Sequence, residues 1–74
     1  MPARYPRVRR RLKQLGVRLT ERAGKGSHVV VDNGKGRIYT LPLHHGEQTE
    51  LSDVYLRGLC RAMLIDYQTF KKGL

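Results

Sequence analysis

The sequence has few of the residues that build disulfides, aromatic platforms or membrane spans. It contains a single cysteine, Cys60, no tryptophan, and only four tyrosines and one phenylalanine in 74 residues. One cysteine excludes an internal disulfide and a cysteine-based zinc finger, and it favours a reducing compartment, the cytoplasm. The longest apolar runs, residues 29–31 and 62–65, are far shorter than the roughly 20 residues of a membrane span.

Acidic residues are also scarce, and the charge is unevenly distributed. Six Asp and Glu against fifteen Lys and Arg give a net charge of +9. Residues 1–37 hold 11 of the 15 basic side chains and 2 of the 6 acidic ones, so the excess lies in the first half. The length predicts one small domain spanning residues 1–74. The charge indicates a polyanionic partner: a nucleic acid, an anionic membrane or an acidic protein.

The spacing of apolar residues predicts a first helix over residues 5–15. Val8, Leu12 and Leu15 recur at i, i+4 and i+7, and therefore share one face. Pro6 suits the first turn, and Gly16 suits the end. The other faces carry cations that we expect to bind phosphates: Arg7, Arg9, Arg10 and Lys13.

Alternation and turn signals then predict three antiparallel strands, over residues 17–22, 27–31 and 37–41. Asn33 and Gly34 form a hairpin signal between the second and third strands, and Pro42 is expected to end the third. Side chains alternate between the two faces of a sheet. If Val29 and Val31 face the helices, His28 therefore lies on the open face.

A second helix is predicted from Ser52, as its N-cap, to about Leu64, with Gly58 packed against the first helix. Asp66 is expected to cap a last turn. The predicted apolar stripe and the residues that fold back onto the core are Tyr55, Leu56, Leu59, Ala62, Met63, Tyr67 and Phe70. The order α-β-β-β-α predicts an α+β fold with both helices on one face of the sheet, similar in outline to a double-stranded-RNA-binding domain.

A more specific resemblance lies in residues 25–28 (Lys-Gly-Ser-His), in residues 41–44 (Leu-Pro-Leu-His) and in Glu47. With the length and the basic first helix, this pattern resembles the HicA family of small toxin ribonucleases, over nearly the whole chain. The chain departs from the family at Met63, where a glycine is usual, and in residues 45–50, which are poorer in lysine. The resemblance implies a double-stranded-RNA-binding-like fold in which the histidine of the second strand, His28, cleaves RNA.

The chemistry can also be argued from the residues. RNA carries its own nucleophile, the 2′-hydroxyl, so cleavage needs a base, an acid and a charge stabiliser, with neither metal nor cofactor expected. Histidine can act as either acid or base near neutrality. His28 is the expected catalyst and His44 a possible second acid or base. Lys25 and Arg37 are expected to oppose the developing charge, and Ser27 to bond a phosphate.

These observations predict a metal-independent endoribonuclease that cleaves mRNA, the toxin of a type II toxin–antitoxin pair. Its expected partner is an acidic HicB-type antitoxin that covers His28 and is anchored on Val30, Val54 and Leu64. The alternative is a non-catalytic RNA-binding module of the double-stranded-RNA-binding type, in which His28 is one contact among many. A basic protein-interaction domain is the third possibility.

Overall fold

The computed structural model describes residues 2–22 and 27–74. Its main elements agree with the predicted α-β-β-β-α order, and it adds a short two-stranded ladder and a third helix. In chain order the elements are β1 (Ala3–Arg4), α1 (Tyr5–Gln14), β2 (Arg18–Arg22), β3 (Ser27–Asp32), β4 (Ile38–Leu43), a 3₁₀ turn (Gly46–Gln48), β5 (Glu50–Leu51), α2 (Asp53–Met63) and α3 (Tyr67–Lys72).

The main sheet is three-stranded and antiparallel, in the order β2-β3-β4. Val29 and Val31 on β3 are fully buried, whereas His28, the residue before Val29, is exposed. The protein is therefore an α+β domain, and His28 lies on the face of the sheet opposite the core. A separate ladder joins β1 to β5 and fixes the start of α1 beside the connection that follows β4.

The first helix begins and ends close to the prediction, but its apolar face is shorter. Val8 and Leu12 are completely buried, and Tyr5 joins them in the core. Leu15, predicted on the same stripe, is 36% exposed. The helix ends at Gln14, and Gly16 adopts a φ of +78°. The chain therefore turns away from the helix before Leu15 can pack on the core, a turn that glycine makes without steric cost.

The buried stripe of α2 is rotated relative to the prediction. Cys60 is buried with Leu56, Leu59 and Met63, while Tyr55 is 41% exposed. Gly58 also has a different neighbour from the one expected. A Cβ atom at Gly58 would lie 2.5 Å from the hydroxyl of Tyr39 on β4, so the glycine lets α2 approach β4 and not the first helix.

Pro42 does not end the third strand, which runs on through Leu43. The Asn33 amide donates to the Arg37 carbonyl at 3.1 Å, which makes this a hydrogen-bonded pair of the β3–β4 hairpin. Hydrogen-bonded and non-hydrogen-bonded pairs alternate along antiparallel strands. The backbone groups of Ile38, Thr40 and Pro42 therefore point to the free edge of β4. Proline loses no ladder bond at that position, because its missing N–H would have faced away from β3.

The C-terminal segment packs as predicted. Asp66 accepts a hydrogen bond from the Thr69 amide at 2.9 Å and caps α3, and Phe70 is completely buried. Ser52 does stand at the N-cap of α2, but its side chain makes no capping bond. Within the described part of the chain, no helix has the length and apolarity to cross a membrane.

Candidate nucleic-acid interface

His28 lies at one end of the exposed sheet face, between two cross-strand neighbours. It is opposite Arg22 on β2 and opposite Pro42 on β4. Directly opposite residues project to the same side of the sheet, with Cβ atoms about 4.5–5.5 Å apart. The His28 side chain therefore emerges between those of Arg22 and Pro42.

The exposed face is most positive at the end where His28 lies. Its only described carboxylate, Asp32, stands four residues further along β3, about 13 Å away on an extended strand, and accepts a bond from the Gly34 amide at 2.7 Å. A phosphate would therefore be drawn toward Arg22 and His28. Strand by strand, the face is formed by Arg18, Thr20 and Arg22, then His28, Val30 and Asp32, then Ile38, Thr40 and Pro42.

Arg9 is held in a bonded network on the covered side of the sheet. It lies 3.1 Å from the Glu21 carboxylate and 2.8 Å from that of Glu47, with 27% of its side chain exposed. It also lies over the Tyr5 ring, 5.1 Å from the centroid. The Tyr5 hydroxyl donates to the same Glu21 oxygen as Arg9. The predicted phosphate contact of Arg9 competes with two internal carboxylates.

The protonation behaviour of this network follows from its bonds. Burial raises the pKa of the Tyr5 hydroxyl, and its bond to Glu21 raises it further. The Tyr5 hydroxyl, together with Arg9, holds the pKa of Glu21 below its usual range. The bonds to Glu47 and Glu21 raise the pKa of Arg9. At neutral pH, Tyr5 is therefore neutral, while Glu21 and Arg9 are charged.

The remaining cations of α1 fall into two groups. Arg11 donates to the carbonyls of Phe70 and Thr69, the latter at 2.8 Å, and fastens α1 to α3. Arg7 lies 3.3 Å from the Leu74 carbonyl. Arg10 and Lys13 are exposed, and no hydrogen bond or ion pair to either side chain is found among the described residues. The helix is thus a basic surface only in part.

The structure does not bring Arg37 to His28. The Arg37 Nε donates to the Ala62 carbonyl and joins the β3–β4 hairpin to the end of α2. Arg37 is five residues from Pro42, about 16 Å along an extended strand. Lys25 lies outside the described residues, as does the side chain of Ser27, so their predicted roles stay predictions.

His44 lies at the same end of the sheet as His28. It is exposed and directly follows Leu43, which pairs with Ser27, the neighbour of His28. In the described ranges, no three His, Cys, Asp or Glu side chains are grouped so as to hold a metal ion. Burial raises the pKa of the Cys60 thiol to about 11, so the thiolate is not available at neutral pH.

Arg18 and Arg22 are the cations of the exposed face that the sequence prediction did not assign. Alternation along residues 17–22 already placed both on the exposed side of a strand. The proximity of Arg22 to His28 depends on the β2–β3 register, which the alternation of one strand does not determine. A comparison of the chain with protein-family models, with curated proteins and with solved structures finds no match.

Proposed function

We propose that this protein is a metal-independent endoribonuclease that cleaves mRNA at His28. The observation that carries the proposal is the exposed His28 imidazole beside Arg22, on an uncovered sheet face. A histidine there contributes little to packing, yet it is accessible to a large polyanion. The fold is proposed to be of the double-stranded-RNA-binding type, with α1 and α2 behind the sheet.

In the proposed reaction the His28 imidazole takes the proton of an RNA 2′-hydroxyl. The resulting oxygen attacks the adjacent phosphorus, forms a new P–O bond and displaces the 5′-oxygen of the next nucleotide. Arg22 stabilises the negative charge that develops on the phosphorane oxygens. His44, at the same end of the sheet, supplies the proton to the leaving oxygen. The products are a 2′,3′-cyclic phosphate and a 5′-hydroxyl.

RNA would reach His28 across the β2 edge of the sheet. Lys13 lies beside Leu19 and Glu21 on the covered side of that edge, and Arg10 is exposed on the same helix. Arg18 and Arg22 project on the exposed side. A backbone that follows this path meets cations on both sides of β2 before it reaches the imidazole. Such contacts are typical of shape-based RNA recognition, which relies on phosphates more than on bases.

The resemblance to the HicA family supports a toxin of a type II toxin–antitoxin pair, acting in the cytoplasm. A free basic ribonuclease damages its own cell, so the proposal includes an acidic HicB-type antitoxin that covers His28. Val54 and Leu64 are 79% and 73% exposed, and Val30 is half-buried. These three side chains remain the proposed apolar anchors.

One observation favours the alternative, a non-catalytic RNA-binding module. Among the described residues no hydrogen bond to the His28 imidazole is found, whereas a catalytic histidine is commonly oriented by a second group. In that case His28 would serve as a phosphate contact. The two functions differ in whether RNA is cut, and not in whether it is bound.

The deciding experiment compares His28→Ala with His45→Ala on a labelled RNA in excess EDTA. General acid–base catalysis contributes about 10²- to 10⁴-fold, so His28→Ala should lower the cleavage rate at least about 100-fold. The RNA affinity and the melting temperature of this variant should stay near those of wild type. His45→Ala should cleave like wild type. Intact RNA with the wild-type protein, or equal cleavage by both variants, contradicts the proposal.

A further inference from the structure

The outer edge of β4 is an unguarded sheet edge. Since the strand order is β2-β3-β4, both β2 and β4 are edges. Proteins discourage pairing at such edges with charged side chains or proline. Arg18, Glu21 and Arg22 place charges on β2, but residues 38–43 include no charged side chain, and Pro42 guards only one end. Ile38, at the other end, is 62% exposed.

The free backbone groups of this edge follow from the hairpin register. The amides of Ile38 and Thr40 point outward, as do the carbonyls of Ile38, Thr40 and Pro42, because the alternate residues bond to β3. In the described part of the chain no other group bonds to these amides. Two donors and three acceptors are therefore available to an added strand.

A groove runs beside this edge, under one face of α2. Val54, Arg57, Gly58 and Arg61 are spaced i, i+3, i+4 and i+7, so they share one helical face. With Arg37 and Tyr39 they form the groove walls. Gly58 has no side chain to fill the groove, and Val54 is almost fully exposed within it. If a strand were added to β4, one row of its side chains would lie in this groove, beneath α2.

The groove carries an excess of positive charge. Arg57 is bonded to Asp53 at 2.7 Å and lies over the Tyr67 ring at 4.5 Å, so one guanidinium is matched by one carboxylate. Arg61 is exposed, and no bond to its guanidinium is found among the described residues. The Arg37 Nε donates to the Ala62 carbonyl, and the two terminal nitrogens of that guanidinium remain available to a ligand. An occupant with carboxylates complements this groove.

We propose that this groove binds an extended acidic segment of another protein, which adds to β4 as a fourth strand. Backbone bonds to Ile38 and Thr40 would supply affinity, and side chains under α2 would supply selectivity, as in other strand-addition sites. Carboxylates on that row meet Arg37 and Arg61, and an apolar side chain meets Val54. A second copy of this chain is a poorer occupant, since it brings another +9 of charge. The site does not depend on any role of His28.

The test uses a short synthetic peptide of alternating glutamate and valine, and a control peptide of the same sequence N-methylated at every residue. The control keeps the charge, but it cannot donate backbone bonds, and its N-methyl groups clash with the β4 edge so that its carbonyls cannot approach the Ile38 and Thr40 amides as a paired strand. We expect the first peptide to slow hydrogen exchange of the Ile38 and Thr40 amides, measured by NMR, and the control to leave them unchanged. Arg61→Glu should weaken binding by about tenfold, as loss of a close charge pair does, whereas Arg10→Glu, with the same charge change on α1, should have little effect.

Other outcomes overturn the proposal. Unchanged exchange at Ile38 and Thr40, or equal weakening by Arg10→Glu and Arg61→Glu, would show only non-specific charge attraction. Protection of these amides by a short RNA and not by the peptide would make the groove an RNA site. Protection that rises with protein concentration alone would identify a second copy as the occupant. RNA cleavage by Arg61→Glu and peptide binding by His28→Ala are measured in parallel, so a failure here is distinguished from failure of the ribonuclease proposal.

Discussion

The two faces of the sheet treat their polar side chains differently. On the covered face, Tyr5, Arg9, Glu21 and Glu47 form one connected set of hydrogen bonds and ion pairs. On the exposed face, no described bond engages the side chain of His28 or that of its neighbour Arg22. Arg9 on the covered face is thus committed to the fold, whereas Arg22 on the exposed face remains available to a ligand.

This difference shows that net charge is an incomplete guide to a binding surface. Arg9 and Arg10 are adjacent in sequence, yet Arg9 has two carboxylate partners and Arg10 has none among the described residues. A phosphate that contacts Arg9 must compete with Glu21 and Glu47. A phosphate that contacts Arg10 displaces only water. The electrostatic contribution to RNA binding should therefore be concentrated in a subset of the fifteen basic residues.

The largest expected effect is on stability, and it compares two adjacent residues of β3 that lie on opposite faces of the sheet. Val29→Ala removes two methyl groups from the core and should lower the free energy of unfolding by about 2–3 kcal/mol. Val30→Ala, on the exposed face, should cost less than about 1 kcal/mol. Urea denaturation of both variants measures the difference. Equal losses would mean that the exposed face is covered in solution.

A second pair of variants compares Arg9, which is bonded to two carboxylates, with Arg10, whose side chain has no described partner. Arg9→Ala leaves Glu21 and Glu47 without their cation and should cost about 1 kcal/mol of stability, whereas Arg10→Ala should change it by less than about 0.5 kcal/mol. RNA binding should show the reverse order. Arg10→Ala should reduce the slope of log affinity against log salt by about one unit, the loss of one phosphate contact. If Arg9→Ala reduced this slope more than Arg10→Ala does, Arg9 would be the RNA contact, contrary to this prediction.

The smallest effect is the pH dependence of the covered network. Because the pKa of Glu21 is lowered in the folded protein, its bonds stabilise the fold above the pKa of the unfolded chain. That contribution is lost as the pH falls through the folded pKa. The melting temperature of wild type should therefore decline between about pH 5 and pH 3 more than that of Glu21→Gln, which cannot titrate. Parallel declines of the two proteins would show that Glu21 does not contribute.

Local periodicity was enough to predict the main element order and the exposure of His28. Alternation in β3 separates Val29 and Val31 from His28 whatever the rest of the chain does. The Asn33–Gly34 turn likewise determines the β3–β4 pairing from neighbouring residues. These features are local, so a single sequence carries them.

Features that depend on contacts between distant elements were not predicted. The stripe of α2 includes Cys60 in place of Tyr55, because the direction of a helix face is decided by what it packs against. Gly58 meets Tyr39, and Arg37 meets the end of α2, only once β4 and α2 are adjacent. The pairing of Arg22 with His28 depends on the β2–β3 register. The predicted site therefore lacked the arginine that lies opposite its histidine.

The central claim, that RNA is held and cut on the exposed face of the sheet, is tested most directly by mapping a bound RNA. NMR amide shifts would be recorded as an RNA with 2′-O-methyl groups, which cannot be cleaved, is added to the wild-type protein. We expect the largest shifts at Thr20, Arg22, His28 and Val30, with smaller shifts on the exposed side of α1. Shifts confined to α2 and α3, with the exposed face of the sheet unperturbed, would contradict it.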